Sequence, residues 1–282
     1  MNSIVRRLFG DARRAPVADV AEAADVETRP PSHQNAVDLT TGWNHAFPEQ
    51  FAIKAGQAAL YDDARIQWCM AQFGSLAGKR VLELGPLEGF HTAMLERGDP
   101  AVLDAVEANV AAYLRCLVTK QVLDLHRAKF HLGNFMPWLE RDDLKYDLIV
   151  ACGVLYHMND PLHLLDLMAR RADAVCLWTH YFDITAMPAN DPRGLAFVDQ
   201  TRSVRCGERT IDLHGRRYYG ADQNVMFCGG PEDLHYWMEK DAIVAVLRGC
   251  GFDDIRTAQD QPDHPNGPAI SIFARRTGPD AP

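Results

Sequence analysis

Residues 80–92 read Arg-Val-Leu-Glu-Leu-Gly-Pro-Leu-Glu-Gly-Phe-His-Thr, and this stretch decides the fold class. It begins with a short apolar run, which is typical of a strand buried on both faces, and helix formers follow it. Gly85 lets the chain turn sharply where the strand ends, and Gly89 lets the start of the helix pack closely on the sheet. The stretch therefore predicts a strand, a glycine-bracketed turn and a helix, which together open an alternating α/β fold.

The composition of the turn limits the cofactor that it can bind. Leu87 stands where the dinucleotide pattern Gly-x-Gly-x-x-Gly requires a glycine, and Pro86 removes a backbone N–H from the segment that would bind a pyrophosphate. These two residues disfavour a nicotinamide oxidoreductase. A cofactor that has an adenosine but no phosphate loses less from their presence, and S-adenosylmethionine is the common one.

Acidic residues lie at the ends of the first two predicted strands. Glu83 belongs to the first strand, and Glu107 ends the second strand, 102–107, 24 residues further along the chain. This offset is close to the roughly 20 residues expected between the turn and a ribose-binding carboxylate. Glu107 therefore lies near the offset expected of a ribose-binding carboxylate.

The third and fourth predicted strands also run into turns of mixed polarity. Strand 129–132 leads into Gly133-Asn-Phe135, and strand 146–151 leads into Cys152-Gly-Val-Leu-Tyr-His157. With the first two strands, these turns resemble in order the class I S-adenosylmethionine-dependent methyltransferases, over about half of the chain. The resemblance implies a doubly wound, mostly parallel seven-stranded sheet, a Rossmann-like α/β fold whose final strand is antiparallel.

The resemblance also implies S-adenosylmethionine as the cofactor and assigns residues to it. Glu107 holds the ribose hydroxyls, Glu83 meets the methionine ammonium, and the turn after the third strand reads the adenine. Asn134 replaces the family's Asp there, and its side-chain carbonyl still accepts a hydrogen bond from the adenine amino group. The predicted cofactor-binding residues are Glu83, Gly85, Gly89, Glu107, Asn134, Phe135 and Cys152.

Charge favours a small acceptor over a nucleic acid. The segment Gly153–His157 resembles that of the tRNA wobble-uridine methyltransferases, which leaves methyl or carboxymethyl transfer to tRNA as an alternative. However, 29 Lys and Arg against 38 Asp and Glu give a net charge of −9, which disfavours a large nucleic-acid footprint. We therefore expect methylation of a small or medium-sized acceptor, with oxygen as the methylated atom, and keep a non-catalytic cofactor-binding scaffold as a further alternative.

Two residues after the fourth strand are candidates for catalysis. His157 is the predicted general base, because it follows the strand at the carboxyl edge of the sheet and an imidazole titrates near neutral pH. Tyr156 is predicted to orient the acceptor. The alternative for His157 is a structural role, with its ring hydrogen-bonded to a backbone carbonyl.

The chain divides into a core and three additions. We predict a flexible N-terminal arm over 1–40, a helical lead-in over 41–79, and a methyltransferase core over 80–183 and 239–276. The remaining residues, 184–238, form an insertion after the fifth strand, where an ordinary connection takes about 2 to 6 residues. Because ligands bind at the carboxyl edge of such a sheet, the insertion is expected to be a structured substrate cap.

The cap carries the residues expected to bind the acceptor. Residues 209–213 and 216–219 predict a hairpin with its turn at His214-Gly215. Five arginines against two acids in 201–220 indicate an anionic acceptor, and a solvated hairpin face is the alternative. The predicted acceptor-binding residues are His91, Arg209, Arg216, Arg217, Tyr218 and Trp237.

Two helices outside the cap follow from apolar spacing. Residues 60–73 predict a helix that covers part of the cofactor, and residues 109–123 predict a crossover helix. The apolar residues expected on the buried face of the second helix are Val110, Leu114, Leu117 and Val118.

Composition sets the remaining expectations. The seven cysteines are scattered and form no Cys-x-x-Cys pair, so we expect a reducing cytoplasmic location and no disulfide framework. No ligand pattern for a metal occurs, and the longest apolar stretch is too short to span a bilayer. The oligomeric state is not predicted.

Overall fold

Strands and helices alternate through the first half of the chain, as the sequence predicts. The structure is a computed structural model and describes residues 26–221, 229–230 and 232–278, so the predicted arm lies outside it as far as residue 25. The strands are β1 Arg80–Leu84, β2 Val102–Glu107, β3 Ala128–Leu132, β4 Tyr146–Cys152, β5 Ala172–His180, β6 Phe197–Cys206, β7 Arg209–Arg217, β8 Leu234–Met238, β9 Asp254–Gln261 and β10 Ala269–Arg275.

Helices connect the strands of the core. Short 3-10 turns cover Glu49–Phe51, Leu155–His157 and Pro192–Gly194. The α-helices of the described residues are α1 His33–Asp38, α2 Ala64–Phe73, α3 Phe90–Glu96, α4 Val110–Val122, α5 Phe135–Glu140, α6 Pro161–Arg171 and α7 Lys240–Gly249.

The main sheet has seven strands in the order β3-β2-β1-β4-β5-β10-β9. Neighbouring strands from β3 to β5 pair in parallel, whereas β10 is antiparallel to both β5 and β9. The order reverses direction at β1 and β4, as in a doubly wound sheet. The predicted fold class, including the antiparallel final strand, is confirmed.

The sheet is buried on both faces, which explains its continuous apolar runs. Leu82 and Ile149 belong to a cluster that contains side chains of α6 and α7. Val81 and Leu148 point to the other face, into a cluster that contains side chains of α2 and α3. Because successive side chains of a strand point to opposite faces, a strand covered on both sides carries apolar residues at consecutive positions.

The insertion contains a second sheet, with three antiparallel strands in the order β6-β7-β8. The predicted hairpin turn at His214-Gly215 is wrong, because β7 runs unbroken through it and the turn lies at Gly207, between β6 and β7. Gly215 is needed for a close approach instead, since a Cβ there would lie 2.7 Å from the carbonyl oxygen of Gln200. The approach falls where the register of β6 shifts, at a bulge.

The buried face of α4 differs from the predicted one. Val110, Leu114 and Leu117 are exposed. The helix instead packs on the turn after β1, where the Cys116 thiol contacts the Leu87 carbonyl oxygen at 3.5 Å. The buried residues of the helix are Ala112, Arg115, Cys116, Thr119 and Val122.

The lead-in packs against the core from an earlier point than the sequence predicts. Val37 of α1, inside the predicted arm, is buried with Phe47 and Phe90. The next helix, α2, begins at Ala64 instead of residue 60, because the Asp63 side chain accepts a hydrogen bond from the Arg65 N–H at 2.8 Å and caps it. The packed structure therefore begins before residue 41.

Candidate functional site

A cavity of about 930 Å³ opens at the carboxyl ends of β1, β2, β3 and β4. Its volume lies near the top of the range of about 300 to 1,000 Å³ for small-molecule pockets, which leaves room for two ligands side by side. Of the predicted site residues, those that line it are Gly85, Glu107, Asn134, Phe135, Cys152, His91, Tyr156 and His157.

The turn after β1 forms the floor of the cavity in a rare backbone conformation. Gly85, Leu87 and Gly89 all have left-handed backbone angles, with φ of 65°, 57° and 79°. This conformation is uncommon for a leucine and is typical of functional sites, where the surroundings hold it in place. The Leu87 N–H donates to Glu107 Oε2 at 3.0 Å, and this hydrogen bond helps to hold the left-handed conformation of Leu87.

The Glu107 carboxylate lines the cavity and is held by two backbone N–H groups. Its second oxygen, Oε1, accepts from the Asn109 N–H at 2.8 Å. Burial raises the pKa of this carboxyl group, and the backbone hydrogen bonds oppose the shift. Each carboxylate oxygen retains a second lone pair, so Glu107 can still accept from two hydroxyls in the cavity.

The turn after β3 forms one end of the cavity. Asn134 caps α5, and its Oδ1 accepts from the Met136 N–H at 2.9 Å. The Gly133 N–H donates to the Glu107 carbonyl at 2.8 Å, which holds this turn beside the end of β2. Asn134 keeps one acceptor lone pair and two amide N–H groups for a ligand, and Phe135 adds an apolar wall.

Two of the predicted cofactor-binding residues, Glu83 and Gly89, are not among the described residues that line the cavity. Glu83 is buried and accepts a hydrogen bond from the Thr92 hydroxyl. Burial raises its pKa to about 7. A Cβ at Gly89 would lie 3.0 Å from the Phe130 ring, so this glycine serves the packing of α3 on the sheet.

Sequence reasoning missed Glu88, which ties the lead-in to the cavity floor. Its carboxylate accepts from the Asn44 N–H at 2.8 Å, from the His45 N–H at 3.1 Å and from His45 Nδ1 at 2.7 Å. Arg115 Nε of α4 lies 3.3 Å away as an ion-pair partner, and its NH1 donates to the Thr41 carbonyl. These partners are about 30 to 45 residues from Glu88 along the chain, so no local pattern indicates them.

A second missed group lies at the start of α2. Asp63 accepts from His91 Nε2 at 2.8 Å and forms a two-point ion pair with Arg65. Burial raises the pKa of Asp63, but the hydrogen bonds from His91 and Arg65 outweigh it and hold the pKa below its usual value. Burial lowers the pKa of His91.

Arg65 also faces the cavity. Its guanidinium lies 4.4 Å from the centre of the Trp178 ring, which also lines the cavity. Of the lysines and arginines that the structure describes, Arg65 alone lines this cavity. It is therefore the cation available there to a ligand carboxylate.

His157 is held by a hydrogen bond from the cap. Its Nδ1 is hydrogen-bonded to the Tyr218 hydroxyl, and that hydroxyl also accepts from the Gly230 N–H at 3.2 Å. Burial, together with the neighbouring His235, His180 and Arg216, lowers the pKa of His157 well below its usual value. The imidazole is therefore neutral at pH 7.

Tyr156 and Trp237 belong to an aromatic cluster beside the cavity. The Tyr156 ring lies 4.0 Å from that of His157 and 4.6 Å from that of His180, between centres. Trp237 stacks on His180 at 5.0 Å and packs behind Tyr156. His180 donates from Nδ1 to the Gly267 carbonyl at 2.8 Å, and burial lowers its pKa to about 4.

The predicted cap arginines are not brought together. Arg217 pairs with Asp233 at 2.7 Å. Arg209 lines a separate hollow of about 670 Å³ between the cap and α6 and α7. Arg216 lies over the Trp237 ring at 5.1 Å, and Tyr218 reaches the cavity wall through His157.

No group of three or more His, Cys, Asp and Glu side chains in the described parts of the chain could hold a metal ion. Within the same ranges, no helix has the length and apolar content that crossing a membrane requires.

No protein-family model matches the chain, and no curated protein matches it. Several solved structures match the chain. The N-terminal domain of EvdMO1 with SAH bound has a TM-score of 0.61 and 20% identity, over 87% of this chain and 95% of that one. The structure of EvdMO1 itself matches with a TM-score of 0.58 and 19% identity. The match covers 86% of this chain and 46% of that one.

A third structure has the same fold. An S-adenosylmethionine-dependent methyltransferase from Mesorhizobium loti matches with a TM-score of 0.51 and 11% identity, over 77% of this chain and 100% of that one. At these identities the likeness concerns the fold. With its seven-stranded sheet and the cavity at the carboxyl ends of the strands, the chain has the fold of the S-adenosylmethionine-dependent methyltransferases.

Proposed function

We propose that this chain is an S-adenosylmethionine-dependent methyltransferase that methylates an oxygen of a small or medium-sized acceptor. The observation that carries the proposal is the Glu107 carboxylate, which lines the cavity beside the left-handed turn. Each of its two oxygens accepts one backbone N–H and keeps one lone pair for a ligand. The EvdMO1 domain of the same fold was crystallised with SAH and in the presence of SAH and D-fucose, which supports a small acceptor.

The residues of the cavity fit the cofactor from end to end. Glu107 would hold the ribose hydroxyls, Asn134 and Phe135 the adenine, and Arg65 the methionine carboxylate. A Cβ at Gly85 would lie 3.2 Å from a methyl carbon of Val154, and both residues line the cavity. When bound, S-adenosylmethionine supplies a methyl group on a sulfonium, so the protein needs to align the acceptor and exclude water.

In this proposal, His157 acts on the acceptor hydroxyl. If Nδ1–H donates to the Tyr218 oxygen, Nε2 of the neutral ring accepts the hydroxyl proton as the oxygen gains the methyl group. The aromatic ring of Tyr156, 4.0 Å from the His157 ring, limits the orientation of the acceptor. Both residues line the cavity and follow β4, which β2 and β1 separate from β3 in the sheet.

The ribose assignment is tested by calorimetry with S-adenosylhomocysteine. We expect the wild-type protein to bind it and not to bind NAD. Glu107→Gln should lower its affinity at least about tenfold, because each charge-assisted contact is worth about 1.5 to 3 kcal/mol. Asp104→Asn is the matched control, since it removes a buried carboxylate of the same strand that contacts His131 and not the cavity.

The outcomes of this test separate the parts of the proposal. Unchanged affinity in Glu107→Gln would refute the ribose contact, and no binding by the wild-type protein would refute the function. Binding without turnover over a panel of hydroxylated acceptors would favour the scaffold alternative. Tight, salt-dependent binding of tRNA would favour the wobble-uridine alternative, which rests on the segment Gly153–His157.

A further inference from the structure

The hollow of about 670 Å³ beside Arg209 lies outside the candidate cofactor cavity. It is bounded by α6, α7 and the three-stranded sheet of the insertion, β6-β7-β8, which we call the cap sheet. We call this space the cap hollow. Because its volume falls within the range of about 300 to 1,000 Å³ for small-molecule pockets, it has room for a ligand of its own.

The cap sheet gives the cap hollow one wall of defined order. The register of β6 and β7 places three cross-strand pairs on the face toward the helices: Arg202 with Leu213, Val204 with Ile211, and Cys206 with Arg209. Successive pairs on one face follow each other along the strands. The wall therefore has an arginine at each end and apolar side chains between them.

The helices complete the apolar part of the cap hollow. Leu162 of α6 and Ala245 and Val246 of α7 line it opposite the cap sheet. Leu162 and Val204 are half-buried and pack against the large core cluster. Apolar side chains that line a concave surface and keep part of their area open favour a ligand with an apolar portion.

The Arg202 end of the cap hollow is already compensated. Arg202 NH2 donates to the Asn159 carbonyl at 3.4 Å and lies 3.7 Å from Asp160 Oδ1. Its guanidinium also lies 4.9 Å from the centre of the Tyr236 ring. This end therefore has no need of an anion from outside.

The opposite end, at the Gly207 turn, carries positive charge without a carboxylate partner. Arg205 and Arg209 both line the cap hollow there, and in the described structure neither forms an ion pair. Arg205 Nε donates to the Gly207 carbonyl at 3.2 Å. The second acid that lines the hollow, Asp166, is paired with Arg170 at 2.8 Å. A cleft whose end carries one sign of charge concentrates ions of the opposite sign.

The length of β6 sets the size of the ligand. Arg202 and Cys206 are four residues apart on this strand, which corresponds to about 13 Å at about 3.3 Å per residue. A ligand whose anionic group meets Arg209, opposite Cys206, thus has about 13 Å of apolar wall before it reaches the compensated end. This fits an unbranched chain of medium length.

We propose that the cap hollow binds a free aliphatic carboxylate of medium chain length. The carboxylate accepts hydrogen bonds from the Arg209 guanidinium, Arg205 adds a second positive charge, and the chain lies between Val204 and Val246. Asp160 lines both the cap hollow and the large cavity, so the two spaces are neighbours. Binding in the cap hollow requires neither cofactor nor methyl transfer, so the inference goes beyond the proposed function.

Calorimetry with three probes tests the chemistry of the ligand. Octanoate has the charge and the chain, octanamide has the same chain without the charge, and hexanoate has the charge and two methylenes fewer. Octanoate should bind the wild-type protein. Octanamide and hexanoate should each bind about tenfold more weakly, because the first loses a charge-assisted contact and the second loses the burial of two methylenes.

Substitutions test the position of the ligand. Arg209→Gln should weaken octanoate binding at least about tenfold and make octanoate and octanamide nearly equal. Arg248→Gln is the matched control, since it removes the same charge from an exposed residue of α7 that does not line the cap hollow. Ala245→Phe should abolish binding, because its ring would occupy the apolar part of the hollow.

The cysteines locate the ligand without any substitution. Cys206 and Cys250 are half-buried and line the cap hollow, whereas Cys152 lines the large cavity. Saturating octanoate should slow the alkylation of Cys206 and Cys250 by N-ethylmaleimide and leave that of Cys152 unchanged, as measured by mass spectrometry of the peptides. S-adenosylhomocysteine should have the opposite pattern.

The results separate this inference from the proposed function. No octanoate binding by the wild type, unchanged affinity in Arg209→Gln, or protection of Cys152 in place of Cys206 and Cys250 would each overturn the site. If Ala245→Phe does not fold, the alkylation pattern of the wild type decides. S-adenosylhomocysteine should bind Arg209→Gln as it binds the wild type, and its failure to bind the wild type would refute the proposed function while leaving the cap hollow site standing.

Discussion

Glu88 offers the sharpest test of how the cavity is built. Its carboxylate holds the backbone of Asn44 and His45 and faces the Arg115 guanidinium at 3.3 Å, with both charged side chains 1% exposed. Glu88→Gln removes the negative charge and leaves Arg115 buried with the Thr41 carbonyl as its hydrogen-bond acceptor. The substitution therefore breaks a buried ion pair from one side.

The magnitude follows from the burial of both charges. Removing one partner of a buried pair costs about 3 to 5 kcal/mol, because the other charge stays uncompensated. We expect Glu88→Gln to lower the free energy of unfolding by about that amount. Arg115→Met should cost less, about 2 kcal/mol, since Glu88 keeps three N–H donors. The double variant should lose at least about 1 kcal/mol less than the sum.

Urea unfolding measures these free energies, and calorimetry with S-adenosylhomocysteine measures the effect on the cavity. Because His45 lines the cavity, Glu88→Gln should also weaken binding by more than about threefold. Asp166→Asn is the control, since it breaks the exposed pair with Arg170 and should cost about 0.3 to 0.5 kcal/mol. A loss below about 1 kcal/mol in Glu88→Gln, or additive single variants, would refute the reasoning.

Two further predictions use the shifted pKa values. The pKa of Glu83 is raised to about 7 from 4.5, so the folded state binds the extra proton and stability falls as pH rises between these values. Glu83→Gln should then stabilise the protein by up to about 3 kcal/mol at pH 8 and by little at pH 4.5, and an equal effect in urea at both pH values would contradict this. His157→Ala should lower turnover about 100-fold with cofactor affinity kept, and the acidic limb of the wild-type pH–rate profile, where the base becomes protonated, should lie below pH 6.5, since burial lowers this pKa. Turnover within about threefold of wild type would exclude His157 as the base.

Much of the core followed from the sequence because its signals are local. The apolar run of β1, the glycines of its turn and the spacing to Glu107 each lie within a few dozen residues, and the fold that they predict is confirmed. The residues that follow β1, β2, β3 and β4 line the same cavity, because parallel strands have their carboxyl ends at one edge of the sheet. The roles assigned to them stay predictions.

The errors have a common physical origin in contacts between distant segments. The apolar periodicity of α4 predicts one buried face, but the helix turns Arg115 and Cys116 inward to meet the turn after β1. Gly215 has the sequence signature of a turn, yet the backbone of β6 approaches it inside a strand. In both cases the contacting segment is distant in the sequence, so hydrophobic periodicity and residue propensity alone do not reveal the contact. The cytoplasmic location likewise stays a prediction.

The two-faced construction of β7 restricts which sequence changes the cap sheet can accept. Ile211 and Leu213 belong to the core, and Arg216 lies on the opposite face of the same strand, so two sets of side chains share one strand with a period of two. Inserting or deleting a single residue would turn every side chain beyond that point to the opposite face and take apolar side chains out of the core. Substitutions on the face away from the core can therefore accumulate at every second position of β7, whereas length changes are confined to the turn at Gly207 and to the chain beyond Arg217.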